Sequence, residues 1–205
     1  PAPAGEGCAV CAAGYGSGMI LDIITYPDPR LHQPCQPVPV VTDEIRQLAA
    51  DMLETMYAAP GVGLAAPQVG KNIRLLVMDP AAKDESPQPR VLVNPVLKLE
   101  GEDVLSEREG CLSVPLQYRA DVWRKSRAIL DAQDLDGNPV HEELEGFPAI
   151  VMQHEYDHLE GKLFTDHVST LRKSLLKNKL ARIASGKAYP GYPVVAAPQK
   201  KGMRR

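Results

Sequence analysis

The sequence predicts an α+β fold in which antiparallel sheets pack around a central helix, with one helix before it and one after it. Apolar residues recur at helical spacing in residues 42–59 and 169–185, and a third apolar helical segment follows Gly146. Between them, short apolar runs follow one another without intervening helices, which is typical of antiparallel sheet. With 205 residues, 44% of them hydrophobic and 24% charged, the chain can bury one sizeable core.

We predict three parts along the chain. Residues 1–18 form a flexible leader rich in Gly, Ala and Pro, residues 19–186 one folded domain, and residues 187–205 a disordered tail that ends in the basic KKGMRR. No apolar run is long enough to cross a bilayer, and the leader contains no Lys or Arg of the kind that signal and transit peptides carry. We therefore expect a cytoplasmic protein. The net charge of -3 gives no overall attraction to nucleic acid.

The first helix follows a stretch that prolines keep irregular. The segment Tyr26–Pro39 contains five prolines among its residues, so we expect it to lie extended on the surface. Thr42 then offers an N-cap, and the helix ends before Pro60. Its apolar face consists of Ile45, Leu48, Ala49, Met52, Leu53 and Met56.

Strands are predicted over the middle of the chain. Ile73 to Met78 is typical of a buried strand, and residues 91–93 and 96–99 continue as short strands. The pair Asp136-Gly137 predicts a hairpin turn between strands at 128–135 and 140–144.

Two helices complete the predicted domain. Pro148 suits the first turn of the central helix, and Gly161 supplies its end. The last helix spans about Ser169 to Ser185 and ends at Gly186. Its inward residues are Leu171, Leu175 and Ile183, and its outward basic residues are Arg172, Lys173, Lys177, Lys179 and Arg182.

The central helix carries the pattern H-E-x-x-H in His154-Glu155-Tyr156-Asp157-His158. Residues four apart lie one turn apart on the same helix face, so His154 and His158 can reach one metal ion. Glu155 lies beside that face, where its carboxyl group can accept a proton from metal-bound water and donate it again. The apolar run 149–152 just before the motif indicates a buried helix. Two histidines on a buried helix favour a specific role, such as metal binding, over a chance match to the pattern.

A catalytic metal site of this kind needs a third protein ligand, and Cys111 is the candidate. A thiolate is a strong ligand for zinc or iron, although a lone cysteine is often only a small buried apolar residue. Cys35 lies in the Pro-rich stretch and Cys8 in the leader, both poor places for a rigid ligand. Cys8 and Cys11 form an unpaired C-x-x-C, a weak metal signal.

The segment Gly61-Val-Gly-Leu-Ala-Ala-Pro-Gln68 has too few polar residues for a plain surface loop. It matches neither of the glycine-rich phosphate-binding patterns. Its small side chains would let an extended peptide bond to the backbone like an added strand. Gln68 is the polar exception, able to donate an amide hydrogen to a developing oxyanion.

The segments GVGLAAPQ, EGCLS and QHEYDH, in this order and at these separations, resemble the three signature segments of the peptide deformylase family. The resemblance covers about Met19 to Ser185 and includes the segments YPDPRL and HLEGKLFTDH. It implies metal-dependent hydrolysis of the N-formyl group from the formylmethionine of nascent polypeptides, with release of formate. The leader and the tail are not features of the family.

The resemblance also implies roles for particular residues. Cys111, His154 and His158 would be the metal ligands, and ferrous iron the metal, with nickel, cobalt or zinc able to replace it. Glu155 would be the general acid and base. Gln68 and the backbone N–H of Leu112 would form the oxyanion hole. Gly63 and Gly110 match positions at the substrate backbone or metal loop, and the methionine pocket would consist of Val62, Phe147, Ile150 and Val151. The last helix could contact the ribosome, and the missing transit peptide favours a bacterial origin.

Two other functions remain open at the level of sequence. An H-E-x-x-H metallopeptidase would take a downstream third ligand, such as Glu160 or His167. A structural metal domain that binds the ribosome or nascent chains would instead close its site with four ligands. An upstream Cys111 ligand favours the deformylase.

Overall fold

The computed structural model describes residues 14–82, 87–114, 119–185 and 190–195. The helices in these ranges are α1 (Asp43–Ala58), α2 (Gly146–Leu159) and α3 (Thr170–Ala184). The strands are β1 (Ile23–Ile24), β2 (Gly63–Ala65), β3 (Leu75–Met78), β4 (Arg90–Glu109), β5 (Ala120–Gln133), β6 (Pro139–Glu145) and β7 (Val194–Val195). No helix in the described ranges has the length and apolar character that crossing a membrane requires.

Five of the strands form an antiparallel sheet in the order β2-β3-β4-β5-β6. β1 and β7 form a separate parallel pair, which joins the segment before α1 to the segment after α3. Helix α2 contacts every strand of the five-stranded sheet. The predicted α+β fold is therefore confirmed, with α2 as the central helix, α1 before it and α3 after it.

Helix α1 begins and ends where the apolar spacing predicts. Thr42 is its N-cap by backbone conformation, but the Thr42 side chain makes no capping hydrogen bond. The residues Met52, Leu53 and Met56 are completely buried and pack with β2 and β3. Burial of each such side chain contributes about 1.5–3 kcal/mol, so this face fixes α1 on the sheet.

Strand β4 is one continuous strand of 20 residues, where the sequence predicts two short strands. Its register against β5 shifts at three places. Residues with positive φ lie at or beside these shifts, namely Asn94 (51°), Gly101 (76°) and Arg108 (53°). Because each bulge adds an unpaired residue, it interrupts the alternation of apolar and polar side chains. The pattern therefore breaks into short runs although the strand continues.

The hairpin between β5 and β6 forms at the predicted turn. Gly137 adopts a φ of 82°, a left-handed conformation that favours glycine. The Asp134 carboxylate accepts hydrogen bonds from the backbone N–H groups of Asp136 and Asn138, each at 2.8 Å. The predicted strand from Ile73 is shorter in the structure, because Ile73 itself forms an isolated bridge with Gln36.

Helix α2 starts at Gly146 with Pro148 in its first turn, as predicted. Glu160 is its C-cap, and Gly161 follows with a φ of 70°. A Cβ at Gly161 would lie 2.8 Å from the backbone carbon of His32, so only glycine fits this close approach. The helix end is thereby held against the N-terminal segment.

Helix α3 agrees with the predicted last helix to within a residue at each end. Ile183 is buried, as expected, in a cluster with Phe164 and Leu163. The side chains of Leu171 and Leu175, which the sequence also predicts to be inward, lie outside the described part of the chain, as does Gly186.

The segment Tyr26–Pro39 does not lie wholly on the surface, so that expectation is wrong. It contains a 3-10 turn at Pro29–His32 whose Leu31 is 1% exposed, and Cys35 and Val38 are also buried. Prolines prevent repeating backbone hydrogen bonds, but they do not keep the apolar residues between them out of the core.

Both predicted end segments are partly ordered. The end of the leader packs on α1, since a Cβ at Gly18 would lie 2.3 Å from the carbonyl oxygen of Ala50. In the tail, residues 190–195 are described and include β7, which differs from the expected disorder. Residues 1–13, with Cys8 and Cys11, and residues 196–205 lie outside the described ranges.

Candidate metal centre and active site

Three side chains with metal-binding atoms lie close together, two of them on α2 and one from the turn after β4. The ligand atoms of Cys111, His154 and His158 all lie within 4.8 Å of one another. The sulfur of Cys111 is 3.2 Å from Nε2 of His158. One thiolate and two imidazoles are a donor set that zinc or ferrous iron accepts. The residues present therefore fit a divalent metal ion.

The fold supplies these ligands from two elements that are distant in sequence. The helical spacing of α2 places both histidines on one face, and their rings are 5.1 Å apart between centroids. Cys111 lies just beyond the end of β4, in a turn closed by a hydrogen bond from Val114 N to the Cys111 carbonyl oxygen of 3.0 Å.

Glu109 determines which nitrogen of His154 faces the cluster. Its Oε1 lies 2.7 Å from Nδ1 of His154. Burial by itself raises the pKa of Glu109, but hydrogen bonds from His154 and Arg124 lower it to about 2. Because Glu109 is then a carboxylate, Nδ1 must be the donor, and Nε2 is the nitrogen that faces the cluster, where a metal ion would replace its proton.

Arg124 on β5 completes a buried network of charges. Its guanidinium donates to both carboxylate oxygens of Glu109, at 2.6 and 3.1 Å, and to Asp157 Oδ2 at 2.6 Å. Asp157 also pairs with His167 at 2.8 Å. A buried charge is stabilised only when it is paired and hydrogen-bonded. The network thus joins β4, β5 and α2 around the ligands.

The electrostatics of the cluster favour a thiolate at Cys111. Burial raises the pKa of the thiol, but the charge of His158 and hydrogen bonds with both histidines lower it to about 5. The thiolate is the form of cysteine that binds metal ions, so the low pKa of Cys111 suits it to that role.

Glu155 is buried beside the cluster, at 4% exposure, and its Oε2 has no hydrogen-bond partner within the described residues. Burial raises the pKa of this carboxyl to about 7, in opposition to the charges of His154 and His158. Gly63 on β2 lies against it, since a Cβ there would be 2.3 Å from Glu155 Oε1. Gly63 is therefore required by the position of the Glu155 carboxylate.

Gln68 is held in a defined orientation. Its Oε1 accepts a hydrogen bond from Ala65 N at 2.8 Å. Its amide nitrogen therefore points the other way, 3.2 Å from Ser113 Oγ and 3.6 Å from the Cys111 sulfur. A donor N–H is thus aimed at the ligand turn that follows β4.

A cavity of about 480 Å³ opens over the cluster. This volume is in the range of small-molecule and peptide side-chain sites. Its lining includes every site residue predicted from the sequence except His158, whose Nε2 is 3.2 Å from the sulfur of the lining residue Cys111. The predicted residues that line it are Val62, Gly63, Gln68, Gly110, Cys111, Leu112, Phe147, Ile150, Val151, His154 and Glu155.

The alternative ligands do not join the cluster. Glu160 pairs with Arg74 at 2.7 Å, and His167 pairs with Asp157. Cys35 is buried in a separate apolar cluster. Among the described residues the cluster offers three ligand atoms and borders a cavity, an arrangement typical of catalytic rather than structural metal sites.

Sequence reasoning missed Glu109, Arg124 and Tyr192, which also surround the site. Glu109 lies two residues before Cys111, a spacing that places side chains on the same side of an extended chain, so its proximity could have been predicted. Arg124 reaches the site from a long-range strand pairing, and Tyr192 from the Pro-rich tail. Neither has a local sequence signal.

The family described as polypeptide deformylase matches residues 20–174 of the chain. Peptide deformylase of Alkalilimnicola ehrlichii is 50% identical over 164 residues, which are 80% of this chain and 90% of that protein. Peptide deformylase of Pseudomonas aeruginosa is 49% identical over 163 residues, 80% of this chain and 95% of that protein. The chain belongs to the peptide deformylase family.

Solved structures of peptide deformylases share the fold. The Arabidopsis thaliana peptide deformylase 1B has a TM-score of 0.76 at 35% identity, over 82% of this chain and 92% of that one. A peptide deformylase from Legionella pneumophila has a TM-score of 0.75 at 38% identity, over 82% of this chain and 97% of that one. Peptide deformylases are metalloenzymes that hydrolyse the N-formyl group from nascent peptides, and this is the reaction of the chain. The predicted activity is confirmed.

Proposed function

We propose that Cys111, His154 and His158 hold one divalent metal ion and that the formyl group is hydrolysed beside it. The observation that carries this proposal is the convergence of the three ligand atoms within 4.8 Å of one another. When bound, such an ion lowers the pKa of a coordinated water molecule and polarises the formyl carbonyl.

Glu155 is the general base and acid in this proposal. Its carboxyl is buried next to the ligand cluster and has a pKa raised to about 7, primarily by burial. A group that titrates near neutral pH both accepts and returns a proton efficiently. Glu155 therefore takes a proton from the attacking water and passes it to the amine that leaves with the peptide, so that formate is released.

Gln68 and the backbone N–H of Leu112 stabilise the oxyanion. The support is that the Gln68 amide donates toward the turn containing Cys111 and that Leu112 lines the same cavity. Loss of one such donor raises the reaction barrier by about 3–4 kcal/mol.

The methionine side chain of the substrate occupies the apolar part of the cavity. Val62 and Gly63 line this cavity together with Phe147, Ile150 and Val151 from the first two turns of α2. Gly110 leaves room beside the ligand turn, where a Cβ would be 3.1 Å from Arg119 Nη1. These residues select an unbranched apolar side chain by burial of its surface.

Formate release tests the activity and the role of Glu155 together. Metal-loaded protein is given formyl-Met-Ala-Ser without oxygen, with and without a chelator. Formate should appear only without the chelator. Glu155→Gln should keep its metal and lose at least nine-tenths of the wild-type turnover, because no group remains to move the proton.

Glu160→Gln is the matched control, since Glu160 is the C-cap of the same helix and does not line the cavity, and it should keep wild-type turnover. Retention of more than a tenth of the activity by Glu155→Gln contradicts its assignment. Cleavage of internal peptide bonds without formate would instead indicate the metallopeptidase alternative.

We further infer that ferrous iron is the resident metal, with nickel, cobalt or zinc able to replace it. A mixed thiolate and imidazole site accepts all four ions. The iron form should lose activity in air as the ion and Cys111 oxidise, whereas the nickel form should not. Activity assays after aerobic storage of both forms measure this, and an iron form that stays fully active argues against iron.

We also infer a cytoplasmic, bacterial enzyme that meets its substrates at the ribosome through α3. Lys177, Lys179 and Arg182 are exposed on this helix, which supports attraction to ribosomal RNA. Binding should be visible by co-sedimentation with ribosomes at low salt and should decrease when the three residues are changed to Glu. If the wild type and the triple variant sediment equally with ribosomes, the basic face of α3 is not the ribosome-binding surface.

A further inference from the structure

The chain returns to the active site after α3. Residues Pro190–Val195, here named the C-terminal strap, end in β7, which pairs in parallel with β1. Ile23 N donates to the carbonyl oxygen of Pro193 at 3.0 Å, and Thr25 Oγ1 donates to that of Val195 at 3.2 Å. These bonds attach the strap to the body of the protein, beyond the residues 20–174 that match the family model.

The strap contributes side chains to the cavity. Pro190 and Tyr192 line it together with Cys111 and Glu155. Gly191 between them adopts a φ of 87°, a conformation that favours glycine and turns the chain toward the site. Tyr192 is half-buried and packs on the same apolar core cluster as Leu112. The strap therefore forms one wall of the active site.

Tyr192 also makes a specific polar contact there. Its hydroxyl donates a hydrogen bond of 2.9 Å to the backbone carbonyl oxygen of Leu112. The same short turn is held elsewhere by Tyr26 N, which donates to the Ser113 carbonyl oxygen at 2.7 Å. The carbonyl and the N–H of Leu112 flank one Cα, so fixing the carbonyl restricts the two dihedral angles that aim the N–H.

We propose that Tyr192 is a positioning residue for deformylation, which acts through Leu112 to keep the backbone N–H aimed at the oxyanion. This inference rests on the proposed role of Leu112 in the reaction. Alignment of an oxyanion donor matters in the transition state more than in the bound substrate, so its loss should lower kcat rather than raise KM.

The test uses full-length, metal-loaded Tyr192→Phe, which removes the hydroxyl and keeps the ring. Loss of one neutral hydrogen bond should lower kcat for formyl-Met-Ala-Ser by about three- to tenfold. KM and metal content should equal those of the wild type, because the ring and the ligands are unchanged.

Tyr57→Phe is the matched control. It also loses a tyrosine hydrogen bond, from its hydroxyl to Asp79 Oδ2 at 2.6 Å, but outside the cavity. It should lower the melting temperature and leave kcat and KM unchanged. This separates a general loss of stability from a loss of alignment.

The outcomes distinguish this inference from the proposed function. A wild type that releases no formate overturns both. A wild type that releases formate, together with a Tyr192→Phe variant of equal kcat, overturns the role of Tyr192 alone. A variant with higher KM and unchanged kcat also overturns it, since Tyr192 would then only contact substrate.

Discussion

At the scale of single residues, the site depends on groups whose protonation the fold sets. Glu109 and Cys111 both have pKa values below their ordinary range, whereas Glu155 has one raised by burial. In the proposed mechanism the first two groups bind or orient as anions, and the third exchanges a proton. Charge partners and burial thus assign different tasks to three acidic groups within one small site.

Glu109 gives a prediction for acid unfolding. Its pKa is about 2 in the folded protein, below the ordinary value of 4.5. The ionised carboxylate therefore stabilises the fold above about pH 4.5, and this stabilisation is lost as the pH falls toward 2. Glu109→Gln in chelator-treated protein should be less stable than the wild type near pH 6, by about 3 kcal/mol.

The free energy of unfolding from urea titrations at several pH values measures this effect. The difference between wild type and Glu109→Gln should shrink as the pH falls from 4.5 to 2, because Glu109 progressively gains a proton over this range and loses the charge that distinguishes it from Gln. A difference that stays constant over this range would contradict the low pKa of Glu109.

At the scale of elements, helices were easier to predict than strands. The spacing of Ala49, Met52, Leu53 and Met56 defines α1, and Pro148 and Gly161 mark the ends of α2. In contrast, β4 has no uniform pattern, because its bulges change which side chains face the core. Local signals therefore define helices, whereas strand length depends on pairing with a partner far away in sequence.

The end of α2 allows a prediction with an internal control. Gly161 and Gly137 both have positive φ, but only Gly161 has backbone atoms within 4 Å of a Cβ. Gly137→Ala should cost about 1 kcal/mol of folding free energy for the left-handed conformation. Gly161→Ala should cost about 3 kcal/mol or more, because the Cβ also meets the backbone of His32.

Denaturant unfolding of both variants measures these costs. Equal costs for the two substitutions would show that the contact with His32 is not required for the position of α2. The comparison therefore tests whether the central helix is fixed by this close approach.

At the scale of the whole molecule, the site could be predicted as a set of residues but not as an arrangement. Motifs in three segments indicated Gln68, Cys111 and His154, because each has side-chain chemistry that such a reaction needs. The sequence did not predict that Arg124 would join the sheet to α2, or that Tyr192 would return from the tail. Both contacts depend on tertiary packing between segments that carry no shared pattern.

We propose that a thiolate after β4 and two imidazoles of α2 share one metal ion. Anomalous diffraction from crystals of the metal-loaded protein, recorded at the absorption edge of the metal, locates that ion. One peak should lie about 2.3 Å from the Cys111 sulfur and about 2.1 Å from a nitrogen of His154 and of His158. A peak elsewhere, or an ion bound to the histidines with Cys111 out of bonding range, would contradict the claim.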